Sequence, residues 1–146
     1  MAEQTEGEMQ IEAKPAEVLA VISDYAAYPE WADGIKKTEV TKEDSKGRPS
    51  EVAFEVSQMG VGAKYTLVYK YKAKDGGLSW TTKSASGAVK DIKGEYLLVA
   101  SGEGTKVTYR TTIELAIPMV GFMKRQAEKI IIGTALGGLK KRVENL

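Results

Sequence analysis

Hydrophobic and polar positions alternate through most of the middle of the chain. Val52, Phe54, Val56 and Gln58 fall on one face, opposite Glu51, Ala53, Glu55 and Ser57. A period of two predicts a half-buried strand. The pattern resumes over Ala63 to Ala73, with Tyr65, Leu67, Tyr69 and Tyr71 against Lys64, Thr66, Lys70 and Lys72. It returns at Leu78 to Ser84, where Leu78, Trp80 and Thr82 share a face, and at Asp91 to Ala100, where Ile92, Gly94, Tyr96 and Leu98 do. The longest run is Thr105 to Ile117, with Val107, Tyr109, Thr111, Ile113, Leu115 and Ile117 inward. Weaker patterns predict a first strand at Gln4 to Ile11 and an edge strand at Ile35 to Lys42. Turn chemistry separates the runs: a polar hairpin loop at Glu43 to Ser50, a tight turn at Gly60-Val61-Gly62, and Asp75-Gly76-Gly77, the strongest hairpin signal. Ser84 to Lys90 reads as a small-residue loop, and Ser101 to Gly104 as a further turn.

Helical spacing occurs at two places. Pro15 suits a first helical turn, and Val18, Leu19, Val21 and Ile22 give that helix a buried face before Ser23-Asp24 stop it. A second short piece, Tyr25 to Trp31, contains Pro29. The long amphipathic stretch is Met119 to Leu146, behind Pro118. There Phe122, Met123, Gln126, Ala127, Ile130, Ile131 and Thr134 recur every three or four residues, and Lys124, Arg125, Glu128 and Lys129 mark a wet side. An antiparallel sheet with one apolar face needs a cover, and only this helix is long enough. The predicted fold is α+β: a curved antiparallel sheet of about seven strands wrapped around a long C-terminal helix, with two short helices after the first strand. The chain reads as a single domain, 1–146, without repeats or linkers.

This order of elements resembles the polyketide cyclase/dehydrase branch of the START-like (SRPBCC) superfamily, which has the helix-grip fold of the major birch pollen allergen. The residues that carry the resemblance are Ile11-Glu12-Ala13-Lys14-Pro15, Val18-Leu19-Ala20-Val21-Ile22-Ser23-Asp24, Tyr28-Pro29-Glu30-Trp31, Gly34-Ile35-Lys36 and Val40. Gly47-Arg48-Pro49-Ser50 also looks like the hairpin of actinobacterial members. The resemblance implies a deep cavity between sheet and C-terminal helix that holds a hydrophobic small molecule. It leaves open whether members cyclise or dehydrate polyketides, carry lipids or quinones, or act on other proteins. Catalytic members often place an arginine inside the cavity. Here Arg48, Arg110, Arg125 and Arg142 all read as loop, outward or helix-surface positions, against cyclase chemistry.

Composition narrows the chemistry. The chain has no cysteine and no histidine, which excludes thiolate nucleophiles, zinc–thiolate sites, and Ser–His or Cys–His catalysis. No Asp/Glu cluster has metal-ligand spacing, and Asp24, Asp33, Glu51 and Glu55 read as capping or outward residues. The glycines form no nucleotide-binding motif. The net charge of +1 is spread along the chain, unlike the basic stripe of a nucleic-acid binder. No signal-like segment opens it, and no apolar run approaches the ~18 residues of a membrane span. The expectation is a cytoplasmic monomer or homodimer with no cofactor, no metal, no nucleic acid and no stable membrane insertion.

The inward face is the candidate site. Phe54, Val56, Gln58, Tyr65, Leu67, Tyr69, Trp80, Thr82, Tyr96, Tyr109 and Thr111 from the sheet would bind ligand, with Met123, Ala127, Ile130 and Thr134 from the helix. Buried phenols need hydrogen-bond partners, and inward acids are few. A filled pocket would satisfy several at once, although each aromatic could equally be plain core. Tyr65, Tyr69 and Tyr109 are the candidates for acid or hydrogen-bond-donor catalysis, and Trp31, Met59 and Val61 for the cavity mouth. Gly133, Gly137 and Gly138 inside the last helix predict close packing, a kink, or room for a ligand or a gate. The exposed face of Lys64, Thr66, Lys70 and Lys72 would be the patch for a protein-interaction module.

Overall fold

The structure is a computed structural model that describes residues 4–58, 60–116 and 121–145, without the side chains of residues 58, 61, 122–124 and 127. Seven strands form one antiparallel sheet: β1 (Gln4–Ile11), β2 (Ile35–Glu43), β3 (Pro49–Gln58), β4 (Val61–Tyr71), β5 (Gly77–Gly87), β6 (Val89–Ser101) and β7 (Gly104–Leu115). Their order is β1-β7-β6-β5-β4-β3-β2. Strands β2 to β7 are a meander, and β1 lies beside β7 in the register Thr5↔Thr111 and Ile11↔Thr105. The first two strands therefore sit at opposite edges, so the segment joining them must cross one end of the curved sheet.

That segment is α1 (Pro15–Ile22), a 3₁₀ turn at Tyr25–Ala27, and α2 (Tyr28–Trp31). Pro15 opens α1, and the Lys14 N–H donates to Glu17 Oε1 at 3.1 Å, satisfying an amide the helix leaves free. Val18 and Ile22 are fully buried. Buried Thr105 ties the strand-to-helix corner by donating its hydroxyl to the Ala13 carbonyl at 2.7 Å. Tyr28 donates to the Ile22 carbonyl and so locks α2 onto α1.

The turns are tighter than the sequence pattern predicts. Gln58 pairs with Val61, so of the expected turn Gly60-Val61-Gly62 both Val61 and Gly62 belong to β4. The expected loop Ser84 to Lys90 is mostly strand: Ser84, Ala85, Ser86 and Gly87 pair with Thr66, Tyr65, Lys64 and Ala63. Their small size reflects close approach. A Cβ on Gly87, whose φ is +77°, would lie 2.6 Å from the Gly62 carbonyl oxygen. At the β4–β5 turn it is Lys74 and Asp75 that take φ of +57°, while Gly76 is ordinary. Gly77 (φ +115°) is needed because a Cβ there would run into the Tyr96 carbonyl.

The C-terminal helix begins as α3 (Gly121–Ile132), widens to a π-helical stretch at Gly133–Gly138, and ends as α4 (Leu139–Glu144). The three glycines thus mark a change of winding. Close packing is not the reason for Gly133 or Gly137, since a Cβ on either meets open space. The close approach comes from the sheet. On β1, a Cβ at Gly7 would lie 3.0 Å from Leu136 and 3.2 Å from Ile132. Of the three, Gly138 alone touches a neighbour, standing against Trp31. Leu136, Leu139 and Val143 are buried. Lys140 and Glu144 clamp the helix end to the β1–α1 corner: Lys140 Nζ donates to the Gln10 carbonyl at 3.0 Å, and the Glu12 N–H donates to Glu144 at 2.8 Å.

Candidate cavity site

Between the concave face of the sheet and the C-terminal helix lies a cavity of about 340 Å³. Its size is within the range of small-molecule sites. The inward alternation of β3 to β7 builds most of the wall. Phe54, Val56, Tyr65, Leu67, Tyr69, Trp80, Tyr96, Tyr109 and Thr111 all stand on it, as do Ile130 and Thr134 of the helix and Trp31 of α2. Gln58, Met123, Ala127 and Val61 lie outside the described side chains, and Met59 outside the described residues.

Thr82 is not among the residues that line the cavity, although it pairs with Leu67, which does. The β5–β6 ladder runs only as far as Trp80↔Gly94. Beyond it the Thr82 hydroxyl substitutes for the ladder, donating to the Ile92 carbonyl at 2.7 Å and accepting from the Ile92 N–H at 2.6 Å. An extra residue in β5 after Thr82 shifts the pairing with β4 and turns the hydroxyl to this use.

Two acids read as wet or outward also belong to the wall, Glu128 on α3 and Asp33 after α2. Glu128 is half-buried and Asp33 exposed. The three- and four-residue spacing puts Glu128 on the wet side and Ile131 inward, yet the two are i,i+3 neighbours on one helix face and both line the cavity. Gln126, expected inward, is exposed. The helix face is rotated relative to the prediction because the sheet contact is fixed by Ile132 and Leu136 over Gly7, which periodicity in the helix alone does not reveal. Ala63, Ala88, Val89, Ile113 and Leu115 complete the same end of the cavity.

The aromatics form a connected wall. Tyr69 and Trp80 lie 6.1 Å apart centre to centre, Trp80 and Tyr109 5.8 Å, Tyr96 and Tyr109 5.0 Å, and Phe54 stacks on Tyr65 at 5.4 Å. Trp80 reaches its place because β6 carries Gly94 opposite it; a Cβ there would lie 2.7 Å from the indole. The hydroxyls divide into two groups. Tyr96 donates to the Ala135 carbonyl in the π-helical stretch at 2.8 Å, and Tyr71 donates to the Pro49 carbonyl at 2.7 Å while lying 3.2 Å from the Tyr25 hydroxyl. Tyr65 and Tyr69 find no hydrogen-bond partner among the described residues. Tyr109 has the Thr111 hydroxyl beside it, which itself donates to the Lys93 carbonyl at 3.3 Å.

Burial is the main cause that raises every one of these phenols above its usual range. Tyr109 is pushed up to about 12, against a smaller pull from Thr111. Neighbouring phenols add to the effect: Tyr65 is raised further by Tyr109, and Tyr69 by Tyr28, Tyr65 and Tyr109. The wall is therefore a set of neutral hydroxyl donors on an apolar surface. None of the four arginines lines it. Arg48 stacks over the Tyr71 ring and binds Asp44, Arg110 pairs with Glu6 and Glu95 on the outer face, Arg125 is exposed, and Arg142 lies 3.5 Å from Glu30. The outer lysines include Lys72 paired with Glu95 at 3.2 Å and Lys64 with Glu55 at 3.4 Å.

Comparison with known proteins agrees with this geometry. The family described as polyketide cyclase/dehydrase and lipid transport matches residues 2–144. The chain belongs to that family. No curated protein gives a significant match. Among solved structures, a START superfamily protein from Mycobacterium smegmatis is similar over 97% of each chain, with a TM-score of 0.86 at 20% identity. An aromatase/cyclase from a Streptomyces species covers 99% of this chain and 94% of its own, with a TM-score of 0.73 at 14% identity. A STAR-related lipid transfer protein from Xanthomonas axonopodis covers 95% and 84%, with a TM-score of 0.70 at 19% identity. At these identities the likeness establishes the helix-grip fold. Among the described residues, no helix is long and apolar enough to cross a membrane.

Proposed function

We propose that this chain binds a hydrophobic small molecule, lipid-, quinone- or polyketide-like, in the cavity between the sheet and the C-terminal helix. One observation carries the reading: a mostly apolar cavity of about 340 Å³ is lined by the Tyr65 and Tyr69 hydroxyls, which have no partner among the described residues. A protein interior is normally close-packed, with its buried polar groups paired. An occupant that excludes water and accepts these hydroxyls would resolve both departures. Ligand contacts would come from Phe54, Val56, Leu67, Trp80, Ile130 and Thr134, with Tyr65, Tyr69, Tyr96, Tyr109 and Thr111 as the polar points. In this reading the protein works in the cytoplasm as a monomer or homodimer. The family name and the lipid transfer neighbour support the class of ligand.

The test is native mass spectrometry of purified protein, followed by solvent extraction and a thermal-shift screen of lipids, quinones and aromatic polyketides. A co-purifying species, or a ligand that raises the melting temperature in proportion to its concentration, is expected. A protein that is empty as isolated and unmoved by every compound would overturn the reading.

The neutral phenols favour a second reading, an aromatase/cyclase or dehydrase in which Tyr65, Tyr69 and Tyr109 donate protons or hydrogen bonds to a folded polyketide. Phenols raised by burial suit a donor better than a base at neutral pH. The absence of arginine from the described wall weighs against it.

A further inference from the structure

The polar character of the cavity is one-sided. The Tyr65 and Tyr69 hydroxyls have no acceptor among the described residues, and the Tyr109 hydroxyl has only a threonine beside it. A neutral phenol has one proton to donate, and on a mostly apolar wall an occupant that offers an acceptor oxygen takes it. Tyr69 and Tyr109 flank the Trp80 ring at 6.1 and 5.8 Å, and Tyr65 lies two inward positions from Tyr69 on β4, so the three line one region of the cavity. Charge is distributed the opposite way. Among the described residues the wall holds no lysine or arginine, and its charged groups are Glu128 on the helix and Asp33 beside Trp31.

An anionic head group entering such a cavity gives up hydration, finds no cation among the described residues, and meets half-buried Glu128 and exposed Asp33. A bare hydrocarbon leaves the phenols unpaired. We propose that the cavity selects an uncharged ligand with hydrogen-bond-accepting oxygens, such as a quinone or ketone, and discriminates against both carboxylate lipids and oxygen-free hydrocarbons. The inference rests on the hydrophobic-ligand reading above and narrows it.

Three probes of one size separate the cases: 2-methyl-1,4-naphthoquinone, 2-methylnaphthalene and 2-naphthoate, titrated calorimetrically into the protein at pH 7.5. The absence of cysteine removes the thiol that would otherwise add to the quinone. The quinone is expected to bind about tenfold more tightly than the hydrocarbon, the worth of one net hydrogen bond at the upper end of its range, with the carboxylate weakest. Tyr69→Phe should lower quinone affinity roughly five- to tenfold and change hydrocarbon affinity less than about twofold. Naphthoate binding as tightly as the quinone, hydrocarbon binding equally well, or a Tyr69→Phe loss shared by all three would overturn the selectivity while leaving a hydrophobic cavity in place. Binding of none of the three to the wild-type protein would overturn the hydrophobic-ligand reading itself. The wild-type comparison needs no variant, so it decides the matter even if Tyr69→Phe folds poorly.

Discussion

Two tyrosines on one wall do different work. Tyr96 closes a hydrogen bond to the Ala135 carbonyl, in the stretch where the C-terminal helix widens. Tyr69, equally buried, has a hydroxyl without a partner among the described residues. Removing the first hydroxyl takes a partner from the carbonyl of buried Ala135; removing the second breaks no hydrogen bond among the described residues. Tyr96→Phe should therefore cost about 1–2 kcal/mol in chemical denaturation, and Tyr69→Phe should change stability by less than about 0.5 kcal/mol. Equal losses from the two would show that the Tyr69 hydroxyl is held by the fold and does not await an occupant. Trp31 is a third kind of polar group: its indole N–H is buried without a partner among the described residues. Its ring packs against Tyr28 and Gly138 and also lines the cavity.

The helix is where element-scale reasoning from sequence met its limit. The glycines at 133, 137 and 138 were detectable as a break in an otherwise strong helical pattern, but their meaning depends on what faces them. Gly133 and Gly137 face open space and carry no positive φ, so alanine fits at either. Replacing each should stabilise the protein by roughly 0.5–1 kcal/mol if the π-helical winding is retained. Gly7→Ala should destabilise by more than about 1 kcal/mol, because Leu136 and Ile132 would have to move. Thermal denaturation of the three variants checks both signs, and a loss at Gly133 would mean that the winding itself requires glycine. The strands were far more legible. Among the described residues, period-two alternation matches the buried faces of β3, β4, β6 and β7, since a strand face is set by the local pattern. The Thr82 hydroxyl is taken up by Ile92 where the β5–β6 ladder stops, which local alternation does not show, and Glu128 escaped because a helix's rotation is set by the surface it meets. The loop expected at Ser84 to Lys90 failed for a related reason: small residues mark flexibility in isolation and close strand approach in a sheet.

At the scale of the whole molecule, the aromatic interior fixes how the protein must respond to alkali. All seven tyrosines are raised above the ordinary value of 10.0, chiefly by burial. In the unfolded chain these phenols would ionise near 10, whereas the folded protein holds them neutral. A raised folded pKa means that the phenols' contribution to stability is whole below pH 10 and declines as pH climbs above it, because the unfolded state then releases protons that the native state retains. The carboxylates act at the other extreme and more weakly: Glu144, held down by Lys140 and the Glu12 N–H, is exposed and favours the native state above its usual 4.5. Alkaline unfolding should thus be cooperative. Phenolate absorbance near 295 nm is expected to stay low past pH 10 and then rise in one step that coincides with loss of far-ultraviolet circular dichroism. A gradual rise centred near pH 10 with the circular dichroism unchanged would mean that the phenols reach water in the folded state, and that the cavity is open and wet. A ligand that fills the cavity should move the step to higher pH, because it binds only the folded form.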